Sequence, residues 1–567
     1  MTGKSRLGLA SANKSVSLPD DIETPNGYIS GLGFSPAVRS HENKWALAPE
    51  DTHGGRTKTI GAIRTLAAPL LTASMMAGIA FAQQPATTTV PPDAKAAHQA
   101  EPWTQIPIPP LPPFHPEPPK RIELKNGLVI LLEEDHELPF INGTIDIRGG
   151  SRDVPAAKVG LIGLYGDTWR TSGTATQDGD KLDDLLEAKA AKVETSGDVD
   201  STAVSWSCLT KDEDQVFGIT VDLLEHPVFS KEKLQLAQQQ AVAGIVRRND
   251  DVQELAEREA TKLVFGADSP YARQPEIATV MSVTVDDLKA WHAKTVAPNN
   301  IIISVEGDFD SAVMEKKLRE AFENLPRGPQ WPKPEGTFPG PKPGVYFIDK
   351  ADVNQSNVWI VGLGTERRNP DFYALAVMNE IFSGGFGSRL FQQVRTKMGL
   401  AYSVSGGYGA QYDHPGMFYT VALTKSPTTV QATQAMLDEI EKLKTTPFTD
   451  AELTSAKDQL LNSFIFRYDS KEKVLTEAST LEFYGYPPDF LEKYRTAVEA
   501  VTTGDLERVA KKYIDPSKLA VLVVGNESQL GTPLTGLKMG PPQPIDITIP
   551  MPPGMRQQMG PGPGPGN

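Results

Sequence analysis

One cysteine, Cys208, stands among 567 residues, so an intrachain disulfide is excluded and cysteine pairing carries no information on redox compartment. Set in the strand-like run 202–209, it reads as a small buried apolar residue rather than a nucleophile. Histidine is scarce as well. None of the eight histidines has another at the i,i+3 or i,i+4 spacing that lets one helix offer two imidazoles to a metal. Positive charge is in deficit: the net charge is −15, against the basic face that a nucleic-acid partner requires. Long apolar runs are missing too. The one hydrophobic segment, 60–82, has an apolar core short of the ~20 residues needed to cross a bilayer, so no stable membrane span is expected. Neither a G-x-S-x-G elbow nor a G-x-x-x-x-G-K-[ST] phosphate loop occurs.

What that segment does carry is an export signal. Arg56, Lys58 and Arg64 supply a basic region, and Ala80-Phe81-Ala82 places small residues at the two positions a signal peptidase reads. We expect a signal peptide over 60–82, cleavage near Ala82, and a periplasmic or secreted protein beginning at Gln83. Residues 1–59 are then a non-native or disordered extension, which a start codon assigned too early explains.

Proline and glycine punctuate the rest. A Pro-rich arm covers 83–120, a Pro/Gly-rich linker 325–344, and a tail expected to be disordered 531–567, ending in Gly-Pro-Gly-Pro-Gly-Pro-Gly. Between them lie two segments, 121–324 and 345–530, that repeat each other. Val283, Thr284, Asp287, Leu288, Lys294, Pro298 and Gly307 recur as Val501, Thr502, Asp505, Leu506, Lys512, Pro516 and Gly525, every pair 218 positions apart as 283 and 501 are. Phe229, Leu234 and Ala237 recur as Phe448, Leu453 and Ala456, one step further apart. In the first repeat Asn126-Gly127 marks a hairpin turn. Each repeat mixes alternating strands with long amphipathic helices (231–249, 450–468) and closes with a Thr-capped helix and a β-branched run. The expected fold is α+β: two homologous domains, each a mostly antiparallel sheet with helices on one face.

The second repeat reads Phe382-Ser-Gly-Gly-Phe-Gly-Ser-Arg-Leu-Phe-Gln-Gln-Val-Arg-Thr-Lys-Met-Gly-Leu-Ala-Tyr402. This string resembles the C-terminal signature of the pitrilysin/insulinase (inverzincin) zinc peptidases, which include the mitochondrial processing peptidase. The resemblance runs over residues 121–525. It also takes in Pro270-Tyr271-Ala272-Arg273 and the window from Gly160-Leu161 to Gly173-Thr174. The family's chemistry needs H-x-x-E-H on a helix of the first repeat and a distant glutamate, two histidines and a glutamate holding zinc. In this chain the histidine positions fall on Gly163 and Asp167, the base on Gly166 and the distant glutamate near Gly244. No one-residue slip helps, because the window holds no histidine or glutamate. Asp222-Leu-Leu-Glu225-His226 imitates the motif out of place and reads as a helix exit before Pro227. The remaining histidines of the mature chain, His98, His115, His136, His292 and His414, read as solvated and single.

The resemblance assigns Arg395 and Tyr402 to the arginine and tyrosine that the family aims at the substrate carbonyl and its oxyanion. Locally they fall on the last turn of a short helix, 390–397, stopped by Gly399, and at the start of a strand. The family has a branch in which one chain carries zinc and a sister carries this pair. The resemblance therefore implies a non-catalytic subunit with no cofactor of its own, zinc in a sister peptidase subunit, and a peptide substrate. The alternative is a pseudopeptidase that serves as a peptide-binding or structural scaffold of the cell envelope.

Overall fold

The computed structural model describes residues 116–552 apart from 334 and 335. The expected leader at 60–82, the extension before it, nearly all of the proline arm and the last residues of the tail lie outside them. The first repeat places six strands, β1 (Lys120–Glu123), β2 (Val129–Glu134), β3 (Phe140–Arg148), β4 (Lys192–Gly197), β5 (Ser201–Leu209) and β6 (Ile301–Gly307), in one sheet of order β1-β2-β6-β3-β5-β4. Its helices are α1 (Leu161–Thr171), α2 (Gly179–Ala188), α3 (Glu213–Glu225), α4 (Lys231–Arg247), α5 (Val252–Phe265), α6 (Ile277–Met281), α7 (Val285–Thr295) and α8 (Ser311–Phe322). The second repeat has β7 (Gly344–Asp349), β8 (Gln355–Leu363), β9 (Thr365–Glu366), β10 (Ser403–Gln411), β11 (Pro415–Lys425), β12 (Ala520–Gly525) and β13 (Gln543–Pro544), in the order β13-β7-β12-β8-β11-β10-β9. Its helices are α9 (Phe372–Ser383), α10 (Thr429–Thr445), α11 (Asp450–Ile465), α12 (Lys471–Tyr484), α13 (Phe490–Ala500) and α14 (Thr503–Tyr513), with a π-helical turn over Phe391–Lys397.

The duplication read from residue spacing is a duplication of topology. Strands β2-β6-β3-β5-β4 and β7-β12-β8-β11-β10 stand in the same order with the same directions: one parallel pair, then three antiparallel ones. The repeated residues are those that set chain direction. Thr284 caps α7 and Thr502 caps α14, each hydroxyl accepting from the backbone N–H of an aspartate that bonds back to the threonine N–H, a capping box. Pro298 and Pro516 each open a short turn into the closing strand, β6 or β12, which is buried along nearly its whole length.

Within each repeat helices pack on one face of the sheet, as expected. The second face is covered by the other repeat. Leu255, Ala256, Ala260 and Val264 of α5 pack under the second sheet against Tyr346, Trp359, Val361 and Leu522. In return Leu475 of α12 packs on Val129, Leu131 and Ile302 of the first sheet. An ion pair and a cation–π contact reinforce the exchange: Arg121 donates to both carboxylate oxygens of Glu482 at 2.8 Å, and the Arg148 guanidinium lies 4.5 Å from the centre of the Phe483 ring. Arg152 joins the two strand turns, holding Asp200 at 2.6 Å and Asp413 at 2.8 Å.

The tail needs a correction. Residues 531–552, expected to be unpacked, form a strap: β13 pairs with β7, Asn249 Nδ2 donates to Ile547 O at 2.8 Å, and Ile549 and Met551 rest on the first repeat's core. Apolar side chains alternating through Ile545, Ile547 and Ile549 make this possible despite the prolines.

Candidate functional site

In the first repeat, helix α1 occupies the window where the zinc motif would lie. Gly163 and Asp167, one helical turn apart, are exposed, and a Cβ on Gly163 would meet nothing within 4 Å. Gly166 is buried against β4, where a Cβ would stand 2.8 Å from the amide nitrogen of Gly197 and 2.9 Å from the carbonyl carbon of Ser196. The Thr195 hydroxyl donates to Gly166 O at 2.6 Å and accepts from Arg170 N at 3.2 Å, joining the two backbone groups an α-helical bond would link. Gly244 is exposed on α4. A zinc site requires imidazoles and carboxylates converging on one point. These positions offer one carboxylate and three glycines, and the place of the general base is closed by backbone. The residues present do not fit the metal. Among the described residues no three His, Cys, Asp or Glu side chains gather in a way that would hold one.

The Asp222–His226 segment ends α3 as a capping pair, His226 Nδ1 lying 3.0 Å from Asp222 Oδ1 while Thr176 donates to the other oxygen at 2.6 Å. His136 is exposed and sits between Glu134 and Asp308. Two other histidines, expected in solvent, are packed. His292 bridges the Tyr165 hydroxyl and Leu224 O at 2.8 Å each, inside a cluster with Trp169 and Phe229, and burial pushes its pKa down to about 4. His414 stacks on Tyr271 with ring centres 3.9 Å apart and bonds to Asp413 at 2.8 Å. Aromatic neighbours distant in sequence account for both. Cys208 is buried in β5, and desolvation raises its thiol pKa to about 11, as suits a core residue.

In the second repeat the structure brings Arg395 and Tyr402 together. The helical run 390–397 winds as a wide π turn that ends where Gly399 adopts φ +63. That left-handed residue turns the chain back on itself. Tyr402 N then donates to Leu423 O at 2.9 Å, anchoring the start of β10. The Arg395 guanidinium carbon lies 5.9 Å from the Tyr402 ring centre and 4.8 Å from that of Phe391. Tyr402 is 77% exposed, so it is no core tyrosine. Phe386, 75% exposed, extends the row by an edge contact to Phe391 at 5.0 Å. The sequence reading missed these two phenylalanines. Its only signal was the run Gly384-Gly385-Phe386-Gly387, a tight turn in which Ser388 Oγ donates to Gly385 O at 2.9 Å. The arrangement offers solvent a cationic fork, a phenolic hydroxyl and two aromatic faces side by side.

Comparison with known proteins gives a consistent family. A profile described as the peptidase M16 inactive domain matches residues 282–460. A Helicobacter pylori protein called non-peptidase homolog YmxG is 24% identical over 406 residues, spanning 70% of this chain and 92% of that one. The Bacillus subtilis protein called uncharacterized zinc protease YmxG is 23% identical over 396 residues, 69% of this chain and 93% of that one. Among solved structures, a peptidase M16 inactive domain from Pseudomonas fluorescens superposes with TM-score 0.64 at 24% identity, covering 72% of this chain and 98% of that one.

Proposed function

With the chain an inactive member of the peptidase M16 family, the pitrilysin/insulinase peptidases, we propose that it is the non-catalytic subunit of a heteromeric zinc endopeptidase. It binds extended peptides and presents Arg395 and Tyr402 to the active site of a zinc-bearing partner chain. The observation that carries this reading is the pairing of Arg395 with an exposed Tyr402, in a chain whose own motif positions are glycines and one aspartate. A scaffold gains nothing from such a pair, whereas a developing oxyanion takes a charged donor and a hydroxyl, each worth ~3–4 kcal/mol in acyl-transfer sites. The phenylalanines beside them have the aromatic–arginine composition of interface hot spots.

Peptide capture has a physical basis in the same region. Among the described residues β10 pairs on its outer side only at Ala410 and Gln411, with β9. The stretch before them has no strand partner on that side among the described residues and begins next to Tyr402. An extended chain adding to this edge by main-chain hydrogen bonds passes the arginine–tyrosine pair. Among the described residues the first repeat's β4 is an edge strand of the same kind. Export through the segment 60–82 puts this work in the periplasm or outside the cell. Affinity purification of the native protein from its host, with zinc analysis and N-terminal sequencing, tests the proposal. The expected result is a co-purifying chain with an intact H-x-x-E-H, about one zinc per pair, and a terminus at Gln83. Recovery of the chain alone from an active preparation overturns it.

A further inference from the structure

The second repeat encloses a cavity of about 190 Å³ between the sheet at β10 and the helices α9, α12 and α13, closed by the end of α11. An engineered apolar cavity of about 150 Å³ holds a benzene molecule, so this space takes one aromatic ring with a small substituent. Its wall is aromatic: Phe372, Tyr408, Phe464, Phe490 and Tyr494 all line it. Phe464 and Tyr494 lie parallel with centres 5.9 Å apart, and Phe372 tilts against Tyr494 at 6.1 Å. Such walls offer faces and edges to a guest ring in the offset and edge-on geometries that aromatic pairs favour.

The polar part of the lining carries two arginines, Arg367 and Arg467, against one carboxylate, Glu477. Arg367 is only 6% exposed, and it is fixed by donation from Nε to Ala410 O at 3.2 Å and by the Tyr412 ring 4.0 Å below its guanidinium. Arg467 also acts on the charge of buried Glu380. The second, independent observation is Tyr494. It is 6% exposed and its hydroxyl has no hydrogen-bond partner among the described residues. A buried hydroxyl left unpaired is a cost that a bound acceptor removes. The elements around the cavity, α9, α11 and β10, are the second repeat's counterparts of α1, α4 and β4. In the first repeat those elements carry Gly163, Gly166 and Gly244. The duplication places this lined cavity among the elements that correspond to the ones carrying those glycines.

We propose that this cavity is a binding site for an aromatic acid: a single ring with a carboxylate, free or as the C-terminal residue of a peptide. The ring fills the aromatic box, and the carboxylate accepts from the Tyr494 hydroxyl beside the two arginines. The site stands apart from Arg395 and Tyr402 and does not depend on a partner chain.

Phenylacetate titrated calorimetrically into the full chain is the test, with acetate lacking the ring, phenylacetamide lacking the charge, and acetyl-glycyl-phenylalanine supplying the peptide form. Saturable phenylacetate binding is expected, none by acetate, and weaker binding by phenylacetamide. Tyr494→Phe, which keeps the ring, should weaken it about tenfold, and Ala376→Leu, which fills the cavity, should abolish it. Tighter binding of the dipeptide than of phenylacetate assigns the site to chain termini, and the reverse assigns it to free acids. Absence of saturable binding to the unmodified chain overturns the proposal. So does binding that phenylacetamide matches and Tyr494→Phe leaves unchanged.

Discussion

Gly166 of α1 and Gly197 of β4 touch so closely that a Cβ on the first would stand 2.8 Å from the amide nitrogen of the second. This contact closes the position of the family's general base with backbone rather than with another side chain. The same substitution at two sites of one helix therefore has opposite effects. Gly163→Ala, in open space, should stabilise by up to about 1 kcal/mol through helix propensity. Gly166→Ala must push α1 off β4 and should cost roughly 1–3 kcal/mol. Urea unfolding of the two variants measures the difference, and equal midpoints would contradict the packing argument.

His292 makes stability depend on acidity. Burial lowers its folded pKa to about 4 from the ordinary histidine value of 6.5, so below pH 6.5 the unfolded chain binds a proton that the folded chain refuses. The associated stability is whole above that range and falls as pH drops through it toward 4, by an amount on the order of 3 kcal/mol. His292→Gln should flatten this part of the stability–pH curve. An unchanged slope between pH 6.5 and 4 would show that the ring is not held neutral.

Asp146 acts with the opposite sign. Beneath α12, where Ser479 donates to it at 3.4 Å, desolvation raises its pKa to about 6 from 3.8. Stability it contributes in acid is lost as pH rises through 6. Asp146→Asn should therefore raise the unfolding temperature at pH 8 relative to the unmodified chain and lower that advantage at pH 4. No pH dependence of the difference would refute the assignment.

Arg152 is the charge on which Asp200 and Asp413 converge from the two repeats. Its side chain is 7% exposed. Arg152→Met leaves two carboxylates facing each other without it, and breaking a buried ion pair from one side costs about 3–5 kcal/mol. Because α5 and α12 are exchanged between the sheets, the loss should appear as one cooperative transition shifted to lower denaturant. A split into two transitions would mean the repeats fold independently.

Much of this architecture was legible beforehand because it is local. Thr284 and Thr502 announced their helices by capping chemistry, and Gly399 announced the stop that brings Tyr402 near Arg395. What stayed hidden depends on partners distant in sequence. The apolar stripes of α5 and α12 do not say which sheet they cover, and the exchange shows only when Leu255 is seen under the second sheet and Leu475 under the first. His292 and His414 looked solitary because the rings around them come from elsewhere in the chain. The strap at Ile545–Ile549 had a readable alternation that its prolines masked.

The proposed role of Arg395 and Tyr402 lies in another chain's active site. The decisive measurement is kcat of the reconstituted pair with the zinc-bearing partner, comparing the unmodified chain with Tyr402→Phe and Arg395→Ala. The predicted result is a fall of about 10²–10³ for each, with assembly and zinc content unchanged, and a double variant that loses less than the sum because both serve one oxygen. Full turnover by both variants in intact complexes would contradict the account and leave the pair a feature of the surface alone.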